Sequence, residues 1–325
     1  TLWAVISRPE NLNAISPPGL DFEIRGTVPE WMYVGLIIEY RVRIPALGKQ
    51  RWVTEIKHIR DGISFVDEQR FGPYRFWLHY HEVIPTDAGA DMIETNSFGG
   101  TRFKLEKFGL TDKVFELNKA AAEISKKAAA EKFVLGSIGP TGKILMMGEV
   151  TEEQLYDAFK EQALGLEAGG ADAIMIETMT DLDEARLAVK AAKENTSLEV
   201  FCTMTFEKTV TGEFRSMMGV SPTEMVETII GAGADLIGAN CGNGIAGMVG
   251  IVEEIRKINA EIPILVHANA GMPVYEDGQT VFPETPEEMA GLIPKIVAAG
   301  ANVVGGCCGT TPEHISKVRI IVDEM

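Results

Sequence analysis

A short phrase recurs four times in the chain: DAGAD at 87–91, EAGGAD at 167–172, GAGAD at 231–235 and AAGAN at 298–302. Each follows an amphipathic stretch and precedes an apolar burst. Glycine at such a point ends a helix, because it enters the left-handed conformation of a helix terminus without steric cost, and the next residues start a strand. Seven bursts are present: ADMIETN (90–96), KFVLGSIG (132–139), ADAIMIET (171–178), LEVFCTMT (198–205), ADLIGANCG (234–242), IPILVHANAG (262–271) and ANVVGGCCG (301–309). Helical periodicity fills the intervals, as at Leu105–Lys132, Thr151–Gly169, Leu182–Asn195, Pro222–Gly233, Ala246–Asn259 and Pro286–Gly300. Short buried strands alternating with helices build parallel βαβ units. Seven strands, each with a following helix, predict an α/β fold: a TIM (β/α)8-type barrel lacking one unit.

The chain changes character near Asp87. All four tryptophans (Trp3, Trp31, Trp52, Trp77) precede it, and all four cysteines follow it. Residues 1–87 carry 10 basic and 11 acidic side chains, so most of the net charge of −17 belongs to the remainder. Segments 35–44, 50–58, 63–70 and 74–84 alternate β-branched or aromatic residues with charges, which predicts half-buried antiparallel strands. The opening RPENLNAISPPGLDFEI reads as a short helix broken at Pro17-Pro18 and followed by a strand. Two units are therefore expected, residues 1–86 and 87–325.

The acidity repels phosphate backbones and anionic lipid heads, so nucleic acid and membrane surfaces are poor partners. No stretch approaches the roughly 20 apolar residues of a membrane span, and the first residues lack a signal-peptide pattern. The expected compartment is the cytoplasm.

The apolar bursts end in residues suited to chemistry, and the C-terminal ends of barrel strands form the active face. Cys241 ends one burst, and Cys307 and Cys308 end the last. A bridge between the adjacent pair would be strained, which leaves metal binding or simple burial. Three thiolates converging at one mouth suit zinc with an open fourth position. Cys202 lies within its strand and reads as core. His267 reads as a packed histidine, while Glu177, Asn269, Asn96 and Ser137 stand at strand ends.

GANCG (238–242) and GGCCGTTPEH (305–314) resemble the homocysteine S-methyltransferase family, which includes the homocysteine domain of cobalamin-dependent methionine synthase and betaine–homocysteine methyltransferase. The likeness extends to ETNSFGGTRFKL (94–105), GSIGPTGK (136–143), IETMTDLDEA (176–185), MTF (204–206) and HANAGMP (267–273). It implies that Cys241, Cys307 and Cys308 bind zinc, with the sulfur of homocysteine as exchangeable fourth ligand, deprotonated by coordination and ready to attack a methyl group. It further implies that Glu177 binds the amino group of homocysteine and that Asn269 orients substrate or the cysteine loops. The weaker claims are those of Asn96 and Ser137. The methyl donor would be a small molecule such as betaine or S-methylmethionine, or methylcobalamin carried by a separate corrinoid protein, and the compact barrel favours the second.

Family members open the barrel with a strand and a DGAMGT-like loop, whereas here the likeness starts at DAGADMIETN, the second unit. The barrel is expected to lack its first βα unit, zinc binding to depend on that unit less than turnover does, and an N-terminal strand to lie across the gap. Residues 1–86 resemble a truncated START-like, polyketide-cyclase-related helix-grip domain, through SRPENLNAISPPGLDFEI, IIEYRVRI, RWVTEI and FVDEQRFGPYRFWLHYHEV. The competing expectation is therefore a non-catalytic protein that binds an apolar ligand through Trp31, Trp52, Trp77 and Tyr80, with a vestigial barrel.

Overall fold

The computed structural model describes residues 6–11, 21–44, 48–60, 64–73, 78–82, 88–242, 244–276 and 279–325. The chain forms two compact units, Thr1–Thr86 and Asp87–Met325.

In the first unit, period-two patterning gives five antiparallel strands paired in chain order: β1 (Glu23–Arg25), β2 (Ile37–Ile44), β3 (Gly48–Arg60), β4 (Ser64–Phe71) and β5 (Leu78–Glu82). One face buries Ile38, Tyr40, Trp52, Ile56 and Phe65. Buried Thr54 satisfies both neighbouring aromatic polar groups, the Tyr40 hydroxyl at 3.0 Å and the Trp52 indole N–H at 3.2 Å. Trp52 is thus a core residue, and Trp31 is exposed beneath the Arg8 guanidinium. Trp77 and the Tyr80 side chain lie outside the described residues. Of the short opening helix, a 3-10 turn at Pro9–Asn11 is described, and residues 12–20 lie outside. An antiparallel sheet of this kind is common to many folds and does not single out the helix-grip family.

The second unit contains the expected parallel sheet: β6 (Met92–Glu94), β7 (Phe133–Ile138), β8 (Ala173–Met179), β9 (Glu199–Met204), β12 (Leu236–Cys241), β13 (Ile264–Ala268) and β16 (Val303–Gly306). Two hairpins, β10 (Glu207–Lys208) with β11 (Phe214–Arg215) and β14 (Val274–Glu276) with β15 (Gln279–Val281), project from the loops. Besides a single turn at Arg102–Leu105, the helices among the described residues of this unit are α1 (Val114–Ala129), α2 (Glu152–Ala168), α3 (Leu182–Asn195), α4 (Pro222–Gly231), α5 (Ile245–Ile258), α6 (Pro286–Ala299) and α7 (Pro312–Asp323). Capping boxes start α2, α4 and α6 at Thr151, Ser221 and Thr285. The long helix expected over 105–132 is shorter, because Gly109 in the left-handed conformation (φ 68°) closes a preceding turn and α1 starts only at Val114.

Among the described residues, all seven strands of this sheet come from after residue 87, none of them is the strand expected from residues 1–86, and β6 and β16 are the sheet's edges. The sheet curls: His267 on β13 reaches Glu94 on β6, Nδ1 to Oε1 3.3 Å. Its concave side packs an apolar cluster at the base, Leu135, Ala173, Met175, Phe201, Leu236 and Leu265, with Met92 and Val303 against them. The larger core lies between the convex side and the helices.

The recurring phrase has a specific structural role. Asp172, just before β8, accepts the Val134 N–H of β7 (2.7 Å) and the Lys126 ammonium of α1 (2.5 Å), and its own N–H donates to the Val134 carbonyl (2.7 Å). Asp235, before β12, repeats this with Val200 of β9 (2.8 Å) and Lys193 of α3 (2.6 Å), and its N–H donates to the Val200 carbonyl (2.8 Å). Asn302, before β16, does the same with Ile264 of β13 (3.0 Å) and Arg256 of α5 (2.8 Å), again with its N–H on the Ile264 carbonyl (2.8 Å). Each clamp ties a strand start, its neighbour and the helix preceding the first of them, so the unit of repetition is a pair of βα modules.

Asp172→Ala removes an acceptor of charge-assisted bonds and is expected to cost about 1–3 kcal/mol. Asp172→Asn, which keeps the acceptor as Asn302 does, should cost less than half of that. Urea unfolding of the two variants against the parent chain measures both, and equal losses would show that charge, rather than the strand-start bond, carries the clamp.

Candidate active site

Period-two positions above the apolar base carry polar groups toward the C-terminal mouth: Glu94 on β6, Ser137 on β7, Glu177 on β8, Thr203 on β9, Asn240 on β12 and His267 on β13. Cys241 ends β12, and Cys307 and Cys308 follow β16. The three sulfurs lie within 4.8 Å of one another. Tetrahedral zinc with bonds of about 2.3 Å spaces its thiolates by roughly 3.8 Å, so the donor set fits that ion after small side-chain adjustments. Cys241 and Cys307 are partly buried and Cys308 is exposed, which leaves the cluster open on one side.

Asn269 joins the two cysteine loops. Its carbonyl oxygen accepts the Cys241 thiol (3.2 Å) and the Cys308 backbone N–H (3.1 Å), and its amide donates to the Gly242 carbonyl (3.0 Å). Backbone bonds fix the same turn: Cys307 N–H donates to Ala268 O at 2.7 Å and Ala270 N–H to Cys308 O at 3.0 Å. Cys241 itself sits at φ 81°, a strained conformation for a side-chain-bearing residue and one of the forms strain takes at functional sites. A hydrogen bond from the Cys307 thiol holds Cys241 below the ordinary thiol pKa, and that interaction, together with burial, pushes Cys307 up. Cys202 is fully buried, and its thiol is pushed up to about 12 by burial alone, which makes it an inert core residue.

Glu177 is buried and accepts the Ser137 hydroxyl at 2.5 Å. Burial, followed by the charge of Glu94, raises its pKa to about 7, against the opposing influence of Ser137, His267 and Thr178. Ser137 is positioned in turn by Thr95 and Ser97: the Ser137 N–H donates to Thr95 Oγ1 (2.9 Å), and Ser97 Oγ donates to the Ser137 carbonyl (2.7 Å). Asn96 stands between those two buried residues but is itself exposed, with no side-chain hydrogen bond among the described residues. His267 is mostly buried, and Gly305 makes room for it, since a Cβ there would lie 2.7 Å from the imidazole.

Asn240, which the sequence did not single out, connects the two halves of the site. Its carbonyl oxygen accepts the Thr178 N–H and the Thr203 hydroxyl, both at 2.8 Å, and its amide donates to Thr178 Oγ1 at 2.6 Å. The same amide lies 3.8 Å from Cys307 Sγ. Thr178, the residue after Glu177, has φ 61°, so Asn240 holds a strained turn beside the carboxylate on one side and borders the thiols on the other. The available signal was its position two residues beyond Gly238 on the inward period of β12.

Residues 86–322 match the family model described as homocysteine S-methyltransferase. Methionine synthase from Mycobacterium leprae is 36% identical over 249 residues, covering 73% of this chain and 20% of the relative, and the Mycobacterium tuberculosis enzyme is 36% identical over 251 residues with the same coverages. The chain thus spans about a fifth of the length of these relatives. Among solved structures, the metallated homocysteine methyltransferase MmuM from Escherichia coli superposes with a TM-score of 0.59 at 21% identity, covering 72% of this chain and 80% of that one. The apo form of MmuM gives 0.56 at 20% identity, covering 72% and 81%. These structures share the barrel fold, and by the extent of the family match the chain belongs to the homocysteine S-methyltransferase family.

Proposed function

We propose that residues 87–325 transfer a methyl group to the thiol of homocysteine, giving methionine, with zinc held by Cys241, Cys307 and Cys308. The observation that carries this reading is the meeting of three thiols at one barrel mouth with a buried carboxylate joined to them through Asn240. Zinc supplies a Lewis acid that lowers the proton affinity of a thiol occupying its open position. The remaining work belongs to the chain. Glu177, oriented by Ser137, accepts the substrate ammonium; Asn269 holds the two cysteine loops in register; and Asn240 fixes the distance between ammonium site and thiol site. Asn96 stands at the rim of this arrangement. Family members named methionine synthase support a methyl-corrinoid donor, brought to the mouth by a separate protein, over a small methyl donor. Among the described residues no helix is long and apolar enough to cross a membrane. We assign the chain to the cytoplasm, where reducing conditions keep the three thiols free. We likewise assign residues 1–86 to a helix-grip-like segment, and the buried place of Trp52 in its sheet argues against an aromatic ligand pocket there.

Protein purified under reducing conditions should carry about one zinc per chain, and the Cys307→Ala, Cys308→Ala double variant should carry none while keeping its circular dichroism spectrum. Absence of zinc from the parent chain would remove the enzymatic reading. Asn269→Ala should retain the fold but weaken zinc affinity by about 10–100-fold in competition with a chelator.

Glu177 yields a pH dependence whose sign is fixed. The ionised form recognises the ammonium, and the free-protein pKa is about 7, so affinity rises with pH through that value and falls about tenfold per pH unit below it. Methionine is the suitable probe, because it has no thiol proton to lose. In calorimetric titrations from pH 5.5 to 8, the parent should show this limb, while Glu177→Gln should bind at least tenfold more weakly at pH 8 without it. A pH-independent affinity in the parent would place the ammonium elsewhere.

A further inference from the structure

Helices α2, α4 and α6 close their capping boxes with Gln154, Glu224 and Glu288, whereas α7 has His314 at that position. A glutamine or glutamate ends in one planar group on a single carbon, but an imidazole carries a second nitrogen on its far side. His314 is buried, and both of its nitrogens are engaged. Nδ1 accepts the Thr311 N–H at 3.1 Å, and Nε2 lies 3.0 Å from the Glu284 carbonyl oxygen. A backbone N–H can only donate and a carbonyl can only accept, so these partners select one neutral tautomer, with Nδ1 bare and the proton on Nε2. The Thr311 hydroxyl, 2.9 Å from Nδ1, is then a second donor to it.

Three loops of the barrel mouth meet on Glu284. Its N–H donates to the Ala270 carbonyl at 3.0 Å, and the Ala270 N–H donates in turn to the Cys308 carbonyl at 3.0 Å. Its carboxylate stands in for a cap on α5: Gly244, the N-cap residue, has no side chain, and a Cβ there would lie 2.6 Å from Glu284 Oε1. The Ile245 N–H reaches Oε2 at 3.4 Å. Glu284 therefore touches the loop of Asn269 and the start of the helix after Cys241. Through His314 it also holds the start of the helix after Cys307 and Cys308. Between Ala270 and Glu284 the chain leaves for the hairpin β14–β15, whose first strand is exposed, and returns. Closing such an excursion costs chain entropy, so it stays closed only as well as its two ends are fastened.

We propose that His314 is a positioning residue for the thiol cluster: its Nε2–H closes a ring of bonds through Cys308, Ala270 and Glu284 that keeps the loops of Cys241, Asn269 and Cys308 in one arrangement. The histidine is needed because it caps α7 with one nitrogen and crosses to the neighbouring loop with the other. The ring stands on its own geometry, and only its consequence for metal affinity rests on the reading of the thiols as a zinc site.

Two variants divide the imidazole between them. His314→Asn puts an oxygen at the place of Nδ1 and nothing at that of Nε2, so it keeps an acceptor for the Thr311 N–H and loses the bridge. His314→Gln puts an amide nitrogen as far out as Nε2 and keeps the bridge. In the metal-free chain, the amides of Ala270, Glu284 and Cys308 should exchange hydrogen about tenfold faster in His314→Asn, as for the loss of one hydrogen bond, and within about threefold of the parent in His314→Gln. With 15N-labelled imidazoles, the signals that vanish in both variants should show Nε2 protonated and Nδ1 bare at pH 8. Zinc affinity in competition with a chelator should follow the same order, about tenfold weaker for His314→Asn and close to the parent for His314→Gln. Equal exchange in the two variants would reduce His314 to a helix cap and overturn the proposal, as would a proton on Nδ1. A parent chain that binds no zinc yet shows the ordered exchange would remove the zinc reading and uphold the ring.

Discussion

The site depends on one constraint, the register of a parallel sheet. Strand side chains alternate faces, so a slip of one residue in any strand would send its mouth residue into the helices and bring a neighbour inward. A parallel ladder alone specifies register weakly where Gly, Ala and Val recur, as they do in β12 and β16. The clamps remove that freedom. An acceptor before one strand grips one residue of its neighbour through both side chain and backbone, with a lysine or arginine from a helix closing the ring of charge. Apart from Glu94 on β6, the polar groups at the mouth are placed by a count of residues that starts at one of these grips.

Above that base the fold spends stability on reactive groups. Glu177 is removed from water, close to the Glu94 charge, with one short hydroxyl bond in compensation. Thr178 and Cys241 adopt left-handed backbone conformations at the ends of their strands. Asn240 is the piece that makes both tolerable, because its side chain supplies donor and acceptor to Thr178 while its main chain leads directly into Cys241. The buried carboxylate and the half-open thiols are consequently parts of one hydrogen-bonded arrangement.

Much of this was legible in the sequence because it follows from local rules. The phrase ending in Gly-Ala-Asp announced helix ends and strand starts, and helix α3 spans the expected Leu182–Asn195. The three cysteines were legible because thiols after strand ends converge in a barrel. What stayed hidden was set by pairs of residues distant in sequence. The aspartate of the recurring phrase read only as part of a strand start, and its grip on Val134 or Val200 exists only once the sheet is formed. Asn240 lay next to a conspicuous cysteine, and nothing local says that its partners are Thr178 and Thr203. The break before α1 was visible as Gly109 but was masked by helical periodicity on both sides of it.

The clamps also differ in what a proton can do to them. Burial works against the charged form of Asp172, but the Lys126 ammonium and the Val134 N–H hold its pKa below the ordinary carboxylate range, so its contribution is present above that range and is lost as pH falls through the lowered value. Asn302 makes the same contacts with an amide that takes up no proton in that range. The β7–β8 side of the sheet is therefore fastened by a bond that acid releases, and the β13–β16 side, which carries Asn269, Cys307 and Cys308, by one that acid leaves in place. Acidification would loosen the barrel asymmetrically, with the side that carries Cys307 and Cys308 the last to let go.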